Sequence, residues 1–315
     1  MCARSGGRRL RRARRRLRLA SYWWARSELD EAARHGYHAL RLTEGLDAAA
    51  AAEVRLVLAR VERDRDDGAA ARDHLERAVA LLEESPAGRD RLLAAVLAEL
   101  GNCHRRAARY PLATAVLHRA RHLLRDGDPL LGEVFTALGI VAKELGELDL
   151  AAGWYARVAR IQDEAGAPPA DAAALQHNLA GLAYARRRFP EAEVHARRAV
   201  ALRGRAPGST DVQLAAERAV LGATLAAQDR HDEARELFAW ALAVCRRARP
   251  PRRYEMGVHL HHLASNAHAT GSPAEAERLY RQALELKREV LGDDHPEVEL
   301  VAHNLGVLLR EQTRR

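Results

Sequence analysis

The chain has 315 residues, room for two ordinary domains or one extended array, and is 48% hydrophobic but only 4% aromatic; its alanine- and leucine-rich make-up disfavours a β-sandwich and suits closely packed helices. The formal charge of +8 is local, because residues 8–18 hold eight arginines and no acid while basic and acidic residues are equal in number elsewhere, so a wholly basic binding surface is excluded. Cys2, Cys103 and Cys245 lie far apart with no CxxC pair, which argues against a disulfide framework or zinc knuckle, and no uncharged apolar stretch approaches a membrane span.

In chain order the first element is a basic arm over residues 1–16. A repeat follows over residues 17–298. Leucine followed by glycine or alanine recurs at Leu19, Leu58, Leu100, Leu138, Leu179, Leu221, Leu263 and Leu305, at intervals of 38 to 42 residues. Thirteen residues after each of the first seven stands an alanine, at positions 32, 71, 113, 151, 192, 234 and 276. Ten residues beyond each alanine stands a branched apolar residue, from Leu42 to Leu286. Spacings of three, four and seven mark one face of a helix, so each unit reads as helix A, a short turn and helix B. Breakers such as Gly146-Glu147, Pro190 and Gly271-Ser272-Pro273 fall in the turns. A single pair cannot bury its apolar face alone, and stacking shares that burial between neighbours. Residues 299–315 carry a helix A pattern with no helix B after it, and are predicted to form a capping helix and tail.

These residues resemble the tetratricopeptide-repeat family, in particular the longer repeat of the kinesin-light-chain type. The likeness is carried by AEAERLYRQALELKREVLGDDHPEV at 274–298, by AHNLGVLL at 302–309, and by Asn178-Leu179-Ala180 and Asn304-Leu305-Gly306. It implies an all-α, right-handed α-solenoid of about seven helix-turn-helix units plus the capping helix. It also implies a non-enzymatic scaffold that takes another protein, as a peptide segment or helix, against an inner wall lined by the A helices.

Helical geometry offers its own view of that wall. If the repeat leucine and the residues one and four after it pack on helix B, the opposite side holds positions minus five, minus one, plus two and plus six. The N-terminal units then present Arg60, Asn102 and Arg106 among acids such as Glu99. The C-terminal units present small apolar residues, including Ala174, Gly181, Ala223 and Val307, together with Asn178, His262 and Asn304. Amides on a shallow apolar floor suit the backbone of an extended or helical ligand.

Other features are weaker. Trp23, four after Leu19, is expected in the core. Among His259, His261 and His262, two histidines three apart can share a helix face, but His261 and His262 diverge by about 100° and no carboxylate or cysteine completes a shell, so no metal is expected, although their rings on the wall suggest pH-sensitive binding. No GxSxG, HExxH, GxxxxGK[ST] or GxGxxG opening a helix is present, so neither catalysis nor a cofactor is expected. The expected setting is cytoplasmic, and the composition fits a high-GC bacterium. Alternatives are a sensor or regulatory module of a bacterial transcription-regulatory or signalling system and, more weakly, nucleic-acid contact through the arginine run, where no aromatic interleaves for base stacking.

Overall fold

A computed structural model describes residues 2–84 and 88–314, with side chains from Gly6 onward. Among these residues there are fifteen α-helices and no strand: α1 (Cys2–Ala25), α2 (Leu29–Thr43), α3 (Ala48–Asp64), α4 (Gly68–Glu83), α5 (Asp90–Arg106), α6 (Tyr110–Leu123), α7 (Leu130–Glu144), α8 (Leu148–Ala165), α9 (Pro169–Ala185), α10 (Phe189–Arg205), α11 (Asp211–Ala226), α12 (His231–Arg247), α13 (Arg253–Ala269), α14 (Pro273–Leu291) and α15 (Pro296–Thr313). They make seven A–B hairpins and a single last helix. The arginine run lies in α1, continuous with Leu19 and Trp24. No described helix is long and apolar enough to cross a membrane. The chain divides into two compact units, Met1–Ala137 and Leu138–Arg315.

The A–B turn follows one plan in all seven hairpins. A residue eight after each repeat leucine takes a left-handed conformation: Ser27, Asp66, Ala108, Gly146, Arg187, Asp229 and Gly271. The next amide then donates to the carbonyl five residues back, as in Asp67 to Glu62 at 2.9 Å, Arg188 to Ala183 at 2.9 Å and Ser272 to Ala267 at 2.8 Å. This is a Schellman closure, which satisfies carbonyls left over at a helix C-terminus. The hydrogen bond holds five non-glycine residues in a conformation L-residues otherwise avoid.

Inside the hairpins, size is matched across the crossing. The residue after the repeat leucine faces the residue sixteen further on. A Cβ built at Gly101 would lie 2.6 Å from Leu117, and one at Gly222 would lie 2.8 Å from Phe238. Gly139 meets the ring of Tyr155 in the same way. Where the B-helix residue shrinks, as at Ala196, the A helix has a buried alanine, Ala180, instead. The match is not uniform, since buried alanines also face large residues, Ala264 with Tyr280 and Ala59 with Leu75.

In the first unit, α1, α3 and α5 lie side by side, and in the second so do α9, α11, α13 and α15. Trp23 and Trp24 are partly buried against Ala32, Ala33 and Val61. In the second unit a large cluster runs from Ala180 through Phe238 and Tyr280 to Leu308, with a smaller one at Ala215, Ala241 and Val244.

Candidate functional site: the A-helix wall

Neighbouring A helices are tied together by polar bonds between residues about one repeat apart. In the first unit Trp24 donates to Asp64 at 2.8 Å, and Arg60 to Glu99 at 3.3 Å. Arg63 also donates to Glu99 and lies 3.2 Å from Asp64. In the second unit Glu217, 3% exposed, accepts from Arg203 at 3.0 Å and sits 2.6 Å from His177. Tyr254 donates to Glu297 at 2.9 Å, and the Lys287 ammonium reaches the same carboxylate at 2.5 Å. Burial raises the Glu297 pKa, but the charge and hydrogen bond of Lys287 and the bond from Tyr254 outweigh it, leaving the carboxyl below its ordinary range.

The expected wall residues fall unevenly on this framework. Arg60 is engaged by Glu99 and lies 5.8 Å over the ring of Trp24. Arg106 reaches Asp66 at 3.8 Å, and Asn102 is half-buried on α5. In the second unit Asn178 is half-buried on α9. Asn304 donates from Nδ2 to Nε2 of His261 at 3.0 Å, which leaves its Oδ1 to accept from a ligand. His262 turns the other way. Its ring stacks on Phe238 of α12 at 4.9 Å and 8°, because position minus one borders helix B and a flat ring gains more there than on the open wall.

A cleft of about 400 Å³ opens between α13 and α15. Ser265, Ala269, Asn304, Val307 and Glu311 line it, all at wall positions, with Tyr280, Leu308 and Pro273 forming its apolar side. His268 and Glu311 close on each other at 2.9 Å at its rim. The arrangement is mostly apolar with a few convergent polar groups, the usual character of a binding recess. Among the described residues no group of three or more His, Cys, Asp and Glu is placed to hold a metal.

The histidines of α13 are tuned by burial. It pushes His259 down to about 4, with a further contribution from His262, and pushes His261 down to about 4, aided by Lys287 and opposed by Glu297. His262 falls to about 3, through burial and then the charges of His261 and Lys287. Their folded values lie below the unfolded value of about 6.5. The unfolded chain therefore binds protons first, and the stability contributed by these neutral rings is full above pH 6.5 and declines below it toward pH 4. Urea midpoints of the second unit should fall over that window. His262→Phe keeps the stack on Phe238 and should flatten the fall by about 1.4 kcal/mol per pH unit, one proton's worth. An identical slope in the variant would remove His262 from the account.

The cross-repeat bonds went unseen in the linear sequence, yet they leave a signal there. Trp24 with Asp64, His177 with Glu217 and Tyr254 with Glu297 are separated by 40, 40 and 43 residues, each within two residues of the repeat interval of the neighbouring leucines.

Comparison with known proteins agrees with this architecture. Residues 171–247 and 255–315 match the tetratricopeptide repeat profile. No curated protein matches the chain by sequence. Among solved structures it is similar to BtubC (BKLC) from P. vanneervenii, with 22% identity over 75% of this chain and 93% of that one and a TM-score of 0.51. It is also similar to a Rap protein complexed with competence and sporulation factor, with 12% identity, coverage of 92% and 79%, and a TM-score of 0.67. NprR in complex with its cognate peptide NprX gives 11%, 87% and 80%, and 0.64. At such identities these likenesses speak to fold, and none of them points to catalysis. By its helical hairpins and by the residues matched at 171–247 and 255–315, the chain carries tetratricopeptide repeats over those two stretches.

Proposed function

We propose that the chain is a non-enzymatic scaffold that binds a peptide segment or helix of another protein along the A-helix wall of its second unit. The observation that carries this reading is the cleft of about 400 Å³ between α13 and α15, where wall positions chosen from sequence geometry, Asn304 and Val307 among them, meet around a space with room for side chains of a ligand. Asn304 then bonds the ligand backbone beside that side chain, and Asn178 bonds it further along. Arg60, Asn102 and Arg106 form the corresponding charged wall of the first unit, and His262 contributes through the position of His261 rather than by contact.

A sensor or regulatory role is the second reading, favoured by one structural neighbour solved with its cognate peptide and another solved with competence and sporulation factor. Both readings place the protein in the cytoplasm and share one test. Peptides selected against the chain from a displayed random library are measured by fluorescence anisotropy on the wild type and on Asn178→Ala/Asn304→Ala. Loss of about 1 kcal/mol per amide bond predicts affinity weaker by at least tenfold with helicity unchanged. Equal affinity in the double variant rejects the assignment of these asparagines.

A further inference from the structure

The outward face of α1 is chemically unlike the rest of the molecule. Arg8, Arg11, Arg12, Arg14, Arg15 and Arg18 are all exposed. At 100° and 1.5 Å per residue they share an arc of about 160° and a length of about 15 Å. None makes an ion pair with a described residue. Elsewhere several exposed helical arginines pair with an acid of their own helix, as in Arg34 with Glu31, Arg77 with Asp73, Arg197 with Glu193 and Arg281 with Glu277, while others, such as Arg198 and Arg278, are exposed with no ion pair to a described residue. The run in α1 stacks like charges at i, i+3 and i, i+4, which destabilises a helix. Its field is felt on α2: beyond the effect of burial, Arg16 depresses both His35 and His38, and Arg12 also acts on His38.

The helix is nonetheless held in place. Ala13 and Ala20 are 2% and 0% exposed, Leu17 packs on the Ala39, Val54 and Leu58 cluster, and Arg16 lies 2.9 Å from His35. The apolar side is therefore occupied, so no face remains for insertion into a bilayer. Between Arg8 and Arg18 the outward arc holds no apolar residue, so a partner helix finds no seam to pack on. An extended acidic peptide shows a side chain to one face only every ~7 Å. A nucleic-acid duplex carries a phosphate charge every ~1.7 Å of its axis, the density that six guanidinium groups over this length require. Guanidinium forks pair with phosphate oxygens in two-point geometry.

We propose that the outward face of α1 binds duplex nucleic acid through its phosphates, without reading sequence. Between Arg8 and Arg18 the arc has no amide to read base edges and no aromatic to stack on them, and Tyr22 on the next turn is taken up by Trp23 and Arg26. Arg14 and Arg18 stand at the wall positions of the first hairpin, but the peptide cleft lies on α13 and α15 of the second unit, and neither assignment depends on the other.

The test is anisotropy of a labelled 25-base-pair random DNA duplex, and of its RNA counterpart, titrated with the full chain between 50 and 200 mM NaCl. Six phosphate contacts predict a log–log salt slope of about −5. Replacing Arg11, Arg12, Arg15 and Arg18 by glutamine should weaken binding at 100 mM salt by more than tenfold and bring the slope to about −2, with far-UV circular dichroism unchanged. The matching lysine variant should stay within about threefold of wild type. Should the glutamine variant fail to fold, the wild-type slope and the lysine variant decide. A flat salt dependence overturns the proposal, as does equal binding by the glutamine variant or a lysine variant as weak as it. So does tighter binding of poly-glutamate or of phosphatidylserine vesicles than of either duplex.

Discussion

Glu99→Ala is expected to destabilise the first unit by about 3 kcal/mol, read as a lowered urea midpoint by far-UV circular dichroism. Glu99 is 7% exposed and accepts from both Arg60 and Arg63. Burial alone would lower the Arg63 pKa, yet the charges of Glu99 and Asp64 raise it, so this cation depends on its partners. Truncating the acid leaves Arg63 charged and confined, with Asp64 alone to answer it. A guanidinium cannot escape by losing its proton. Arg60 and Arg63 are both about a quarter exposed, so water offsets part of the loss at each. The pair Glu99→Leu/Arg63→Met removes both charges together and should recover more than half of the loss. If the double variant is no more stable than Glu99→Ala, the ion pair is not the cause.

Gly222→Val should destabilise the second unit by a similar amount, about 3 kcal/mol. Even the first added carbon would sit 2.8 Å from the ring of Phe238, which is 1% exposed and carries the stacked ring of His262 on its other side. Phe238 cannot retreat without dislodging His262, so overpacking is relieved by moving backbone rather than a side chain. Gly222→Ala alone should cost about 1 to 2 kcal/mol. Adding Phe238→Leu recreates the combination found at Ala59 and Leu75, both buried, and the two changes together should be less harmful than their sum. Strict additivity in that cycle would show that residues 222 and 238 do not compete for space.

Much of the fold could be read from residue spacing, because the interval between repeat leucine and following alanine reflects a turn that hardly varies. Hairpin order, the helical character of each segment and the single helix at the end all follow from it. The turn's own mechanism was hidden. Glycine advertises a left-handed residue at 146 and 271, but serine, aspartate, alanine and arginine at 27, 66, 108, 187 and 229 do not. Their conformation is imposed by the hydrogen bond that the next residue makes. The wall was legible to within one helix face. Ser265, Ala269, Asn304, Val307 and Glu311 converge because backbone register alone places them. His262 departs because a rotamer, which no sequence rule specifies, carries its ring toward Phe238.

The seven left-handed turns have a consequence for how such a protein changes. One torsion and one amide-to-carbonyl bond fix the bend between partner helices, so the bend is indifferent to which side chain occupies the corner. Whole blocks can be duplicated, lost or exchanged in descent without retuning their joints. Selection is then free to rewrite ligand preference on one side of the A helices alone.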